Sequence, residues 1–220
     1  MCVLVLRSIL DMIVISEIKE VNQKTERRRI MTKDFGAKPY LYPMPTYMIG
    51  TYNEDDTVDV MMMAWGGICA EDMVALNLEA EHKTVANLES RKAFTLAVPG
   101  IDTIKESDFF GIASSNKMDD KFERSGLHAV KSDKVDAPII EEYPLTLECE
   151  VVEMQNQPYG LRVLGKILNV RADEKVLDEK GKIDAGKLNA FAFDQMRNGY
   201  YAMGEQVGTA WKSGVEYMKK

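Results

Sequence analysis

Period-two alternation of apolar residues, repeated in short runs along most of this chain, constrains its fold more than any other feature, because such runs bury a face as strands and not as helices. Val58, Val60, Met62 and Ala64 fall on one side of a run whose other side carries Asp59, Met61, Met63 and Trp65. Val74, Leu76 and Leu78 oppose Ala75, Asn77 and Glu79, and Phe94, Leu96 and Val98 oppose Ala93, Thr95 and Ala97. An earlier strand over 46–52, introduced by Pro39, Pro43 and Pro45, joins the first of these runs through the turn Asn53-Glu54-Asp55-Asp56. Two later strands, 145–153 and 161–170, meet across Pro158-Tyr159-Gly160. Each run predicts one buried face, and the six together predict a closed antiparallel barrel. After Met63 and Trp65, Gly66-Gly67 reads as a loosening of the backbone.

Helices are predicted only as short pieces between strands, over 84–91, 104–112 and 118–125, the last stopped by Gly126. No G-x-G-x-x-G follows a strand and no G-x-x-x-x-G-K-[ST] is present, so Rossmann and P-loop folds are disfavoured. The stretch after Asn169, with Asp178-Glu179-Lys180-Gly181, reads as a polar excursion before an aromatic, glycine-spaced tail at Tyr200-Tyr201. With 45% apolar residues in 220, one domain over 31–220 has enough material for a core. Residues 1–30 differ: an apolar run from Val3 to Ile15 is broken by Arg7 and Asp11, and a polar stretch ends in Arg27-Arg28-Arg29. The run is too short to span a bilayer and lacks the flanks of a signal peptide. Residues 1–30 are therefore read as an N-terminal extension, with Met31 a candidate true start.

The net charge of -7 argues against a nucleic-acid partner, since such affinity comes from clustered Lys and Arg neutralising phosphates. A small anion at one local site is compatible with it. Three scattered cysteines, Cys2, Cys69 and Cys149, make no C-x-x-C pair, and two histidines cannot build a histidine-rich metal site. No metal, no membrane and a reducing cytoplasm are the expectations. Cys69 has no basic neighbour in sequence to lower its pKa and is expected to be a buried, inert thiol.

Chemistry concentrates at two places. His82-Lys83-Thr84 opens one predicted helix and Ser114-Ser115-Asn116-Lys117 opens another, each combining hydroxyls with a lysine where free backbone N–H groups and a helix dipole favour a phosphate. The alternative is that Thr84 and Ser115 or Asn116 only cap their helices and that Lys83 is solvated. Met61-Met62-Met63-Ala64-Trp65-Gly66-Gly67 offers soft side chains, a large ring and small residues suited to a flat ligand, or else plain core. His82 either polarises a ligand oxygen or simply stands at a helix start, and no catalytic residue is assigned.

In order and spacing, these motifs resemble the flavin reductase-like FMN-binding split-barrel family, in particular its flavoredoxin branch. The resemblance runs through Asp59 to Trp65, Asn77-Leu78, His82-Lys83-Thr84, Asn87-Leu88 and Phe94-Thr95-Leu96. It continues through residues 110–115, Asp120-Lys121-Phe122-Glu123 and 136–141 to Leu147-Glu148-Cys149-Glu150, and covers about residues 39–215. It implies a six-stranded antiparallel split β-barrel, mainly β with short flanking helices, and a homodimer with FMN near the subunit boundary. It places Met62, Met63, Ala64 and Trp65 beside the flavin, with Asn77 in the same cofactor-binding set. Lys83 and Thr84 fall on the phosphate side, as do Ser114, Ser115 and Lys117. The chain departs from the family where Asp59 stands in place of a frequent Asn, at Met62 and Ala64 in place of Ser or Thr, and at Asp72-Met73 in place of a proline pair. Gly160-Leu161-Arg162 replaces a Gly-x-His element. The implied activity is electron transfer from NADH or NADPH through FMN to an acceptor. Its rivals are an electron carrier serving redox-protein partners without nicotinamide turnover, and a non-catalytic FMN-binding domain.

Overall fold

The computed structural model describes residues 32–219, so the extension expected at residues 1–30 lies outside the described residues. In chain order the elements are β1 (Met44–Pro45), β2 (Tyr47–Tyr52), β3 (Val58–Met63), β4 (Gly66–Ala70), β5 (Met73–Leu78), α1 (Lys83–Arg91), β6 (Ala93–Val98), α2 (Ile104–Ile112) and α3 (Lys121–Ser125). They continue as β7 (Ala129–Lys131), β8 (Pro138–Ile140), β9 (Leu145–Gln157), β10 (Gly160–Ala172), β11 (Phe191–Asp194) and β12 (Gly199–Ala202).

The six expected strands are all present, and a seventh joins them in one antiparallel sheet of order β3-β2-β6-β9-β10-β5-β4. The two end strands, β3 and β4, are consecutive in sequence and linked only by Ala64 and Trp65. The sheet thus curls round on itself and stays split at that link, where the Asn77 N–H donates to the Trp65 carbonyl at 2.8 Å. β4 is the strand that the alternation does not announce. Its glycines carry no side-chain pattern, and a bulge between Ile68 and Ala70 shifts its pairing with β5. Gly66 is there because the backbones come close: a Cβ would stand 2.5 Å from the Ala75 carbonyl oxygen.

Burial follows the alternation, with one correction. Met61 and Met63 of β3, Val74, Leu76 and Leu78 of β5, and Phe94 and Leu96 of β6 fill the barrel interior together with Val85 and Leu88 of α1. The opposite faces of β2, β3 and β6 are buried too, since Met48, Val60 and Ala97 pack against Phe110 of α2 and Ile140 of β8. These strands therefore have two buried faces where one was expected, because a short helix covers the outside of the barrel.

α1 begins at Lys83 and ends where Lys92 takes the left-handed conformation (φ 54°), its N–H donating to the Leu88 carbonyl. The helix expected over 118–125 starts three residues late. Residues 115–117 form a turn closed by the Lys117 N–H on the Ser114 carbonyl at 2.9 Å, and α3 holds only five residues. Asn116, Asp119 and Asp120 explain the shortening, because their side chains compete with helical hydrogen bonding. The Asn116 amide in fact donates to the Glu81 carbonyl at 2.8 Å. The polar excursion is a small loop in which Leu177 bridges Ile183. β1, β11 and β12 form a separate three-stranded sheet. Tyr200 of β12 packs against Phe191 and Phe193, with ring centroids 5.3 and 5.8 Å away, so the tail offers less free aromatic surface than its sequence suggests.

Candidate functional site

Two cavities meet at the split. The larger, about 640 Å³, is lined by residues 61–65 where β3 ends and the chain crosses to β4, by residues 77–79 at the end of β5, and by Gln157, Tyr159, Gly160 and Leu161 of the β9–β10 hairpin. The smaller, about 180 Å³, lies between the start of α1 and residues 110–115, and its polar lining is Asp59, His82, Lys83, Thr84, Ser114, Ser115 and Lys121. Met61, Met62 and His82 belong to both. One space is thus mainly apolar, the other carries the polar groups, and the two adjoin at the residues they share.

Local rules build each wall. The Trp65 carbonyl accepts both the Asn77 N–H and, at 3.0 Å, the Asn77 side-chain amide, which pins the link between β3 and β4 against β5. Asn77 thereby spends an amide proton on the backbone while its side chain stays at the cavity edge. At α1, His82 is extended and no side chain caps the helix, nor is there an acidic residue in its first turn. The first turn of α1 therefore meets the smaller cavity without a cap or an acidic side chain of its own helix.

Thr84 is not a cap. Its hydroxyl donates to Asp59 Oδ2 at 2.7 Å, the Ser115 hydroxyl donates to Asp59 Oδ1 at 2.5 Å, and Lys121 Nζ lies 3.2 Å from the same oxygen. The Asp59 side chain is 0% exposed and that of Lys121 4%, so this is a buried ion pair completed by two hydroxyls. A carboxylate can stay charged at such depth only with partners of this kind. The sequence contained one sign of it: Asp59 is the single charged residue on the face shared with Met61 and Met63. Lys121 was visible only as part of Asp120-Lys121-Phe122, with nothing to direct it inward.

Of the expected site residues, Met62, Met63, Ala64, Trp65 and Asn77 line the larger cavity, and Lys83, Thr84, Ser114 and Ser115 line the smaller. Lys117 is exposed and lines neither cavity, and the lysine that joins Lys83 at the smaller one is Lys121. His82 Nδ1 is buried without a hydrogen-bond partner, at the junction of the two spaces. Met62 is held from behind: the Tyr200 hydroxyl donates to Asp108 Oδ1 at 2.7 Å and lies 3.8 Å from the Met62 sulfur. Burial, then the Asp108 carboxylate, pushes that phenol well above its usual range, so it stays a donor. Cys69 is exposed on β4 and outside both cavities, contrary to the buried thiol expected. Among the described residues the buried cysteine is Cys149, whose thiol is pushed up to about 12 by burial.

Residues 40–194 match the flavin reductase like domain family. In structure the chain is similar to a flavoredoxin of Desulfovibrio vulgaris (Miyazaki F), with a TM-score of 0.79 and 32% identity, covering 84% of this chain and 100% of that one. It is also similar to a flavoredoxin from Methanosarcina acetivorans, with a TM-score of 0.75 and 25% identity over 86% of this chain and 98% of that one. In sequence, an uncharacterised protein of Bacillus subtilis (strain 168) is 23% identical over 207 residues, 87% of this chain and 98% of that protein.

Proposed function

The chain belongs to the flavin reductase-like family of FMN-binding split barrels, and we propose that it is an oxidoreductase holding FMN across the two joined cavities and passing electrons from NADH or NADPH to an acceptor. The observation that carries this reading is that a mainly apolar cavity of about 640 Å³ adjoins one of about 180 Å³ lined by Asp59, Lys83, Thr84, Ser114, Ser115 and Lys121, with Met61, Met62 and His82 common to both. A ring system with a phosphate tail needs that succession of surfaces. The residues fit: Met62, Met63, Ala64 and Trp65 would give the ring soft apolar contact, while the first turn of α1, Lys83 and Ser114 would hold the phosphate. The orphaned Nδ1 of His82 at the junction gains a partner when a polar chain passes it. When bound, FMN supplies the acceptance of hydride and the delivery of electrons. The side chains supply position, exclusion of water by the three methionines, and charge at the phosphate end.

Two results test it. The purified protein should show a flavin absorption spectrum, and anaerobic addition of NADH or NADPH should bleach it. Likeness to flavoredoxins favours a second reading, an electron carrier for protein partners. That reading would be upheld by a flavin that neither nicotinamide bleaches but that, once photoreduced, delivers electrons to a redox protein. A flavin that does neither would leave a non-catalytic FMN-binding domain. The phosphate end is tested separately by Lys83→Ala. A charge-assisted hydrogen bond contributes about 1.5 to 3 kcal/mol, so FMN should weaken by about tenfold or more while riboflavin is unaffected. Equal weakening of both flavins in a calorimetric titration removes the phosphate assignment.

A homodimer belongs to the same proposal. Val152, Leu168 and Val170 on β9 and β10 and Ile68 on β4 are exposed apolar side chains, the kind that a subunit interface covers. Light scattering at micromolar concentration should give a dimer, and monomer alone with FMN bound would contradict it.

A further inference from the structure

We propose that Asp59 keeps the phosphate cavity assembled in the absence of its ligand and thereby weakens the hold on phosphate, so that FMN exchanges rather than staying resident. This rests on the FMN reading above and asks what the buried ion pair does to it. Three separate pieces of chain meet on one carboxylate: Thr84 from α1, Ser115 from the turn and Lys121 from α3. All three line the cavity. Each hydroxyl has one proton to donate, and both are donated inward to Asp59. Neither is free for a phosphate oxygen unless it leaves the carboxylate. The Lys121 charge is likewise matched by Asp59, and both side chains are buried. What remains for a phosphate is the first turn of α1, the Ser114 hydroxyl and Lys83. Lys83 also borders a second cavity lined by Glu54, Asp55 and Asp119, whose negative charges oppose a phosphate there.

A cavity that depended on phosphate for its cohesion would leave Lys121 and the two hydroxyls unpaired when empty, a costly arrangement at this depth. Here Asp59 already satisfies all three groups. Asp59 acts through its neighbours and is a positioning residue. Replacing its carboxylate by an amide, in Asp59→Asn, shows this directly. The new side chain would present an N–H on one side, turning one hydroxyl from donor to acceptor so that its proton points outward, and it would leave the Lys121 charge to the ligand.

The test uses calorimetric titration of the full chain with FMN and with riboflavin, together with thermal melts of flavin-free protein. Wild-type protein should prefer FMN to riboflavin by about a hundredfold at most, the weight of one charge-assisted contact. Asp59→Asn should bind FMN about tenfold or more tighter, as expected for removing one nearby negative charge, with riboflavin unchanged and the flavin-free protein melting earlier. Lys121→Met should do the opposite to FMN and again spare riboflavin. A structural role alone cannot tighten binding of one flavin while lowering the melting temperature. The proposal is overturned if Asp59→Asn binds FMN no better than wild type, or if Lys121→Met leaves FMN affinity unchanged. If neither variant folds, the wild-type ratio decides it, since a preference above about a hundredfold overturns the proposal. Failure of both flavins to bind wild-type protein instead removes the FMN reading on which the proposal stands.

Discussion

Phe94→Ala is expected to remove about 3 to 5 kcal/mol of stability, the usual toll for deleting a fully enclosed aromatic ring. Phe94 is 0% exposed at the centre of the barrel interior, paired in register with Cys149 of β9. The ring extends across β10, where a Cβ on Gly165 would overlap it, and the same Cβ would stand 3.3 Å from Val74 of β5. Phe94 thus fills space left by a glycine and shares one core cluster with residues of β5, β9 and β10. The neighbouring strands are fixed by their ladders and cannot close on the vacancy. A domain of this size loses about 2 to 4 °C of melting temperature per kcal/mol, so a fall of about 10 °C is expected in a thermal scan. A loss below about 1 kcal/mol would mean that the barrel collapses around the missing ring.

Gly160→Ala should disturb the larger cavity and discriminate between the two ends of the site. Gly160 has φ +145°, a conformation that residues with a Cβ rarely adopt, and its Cβ would lie 2.7 Å from the Leu78 carbonyl oxygen. Strain of this kind costs about 1 to 3 kcal/mol. Here the obstacle is backbone and cannot swing aside. Relief requires the β9–β10 hairpin to shift off β5, where Leu161 pairs with Leu78. Both of those residues line the larger cavity. FMN and riboflavin should therefore weaken together, by about tenfold or more if the strain falls on the bound state. That equality contrasts with Lys83→Ala, which should separate the two flavins. A variant that melted like the wild type and bound both flavins normally would show that the hairpin does not shape this wall.

Alternation located six strands because the interior of a small barrel accepts side chains from every second residue, and Val74, Leu76 and Leu78 declare that period without ambiguity. It could not show that Val60 and Met48 would be buried as well, since coverage of the outer face depends on where α2 lands. β4 escaped because Gly66 and Gly67 carry no side chains and because its pairing slips at a bulge. At the site, the apolar wall was legible from residues 61–65, which are contiguous and behave as a unit. The polar cavity was legible only in part. Lys83, Thr84, Ser114 and Ser115 all reach it, yet the hydroxyls turn to a carboxylate that lies 25 and 56 residues away along the chain. Lys117 was the plausible lysine by adjacency. It is Lys121 that turns inward, after a turn that the Asp119-Asp120 pair favours over a helix.

The split itself bears on how the barrel closes. Its two end strands are separated by only two residues, so bringing them together confines almost no chain; the demanding steps in loop closure are those that pair β6 with β9, across the long stretch holding α2, α3, β7 and β8. Once that distant pairing exists, the edges beside the larger cavity are already tethered. Parting them would release little chain entropy and would leave the remaining ladders intact, so any opening at this end of the larger cavity is expected to be local.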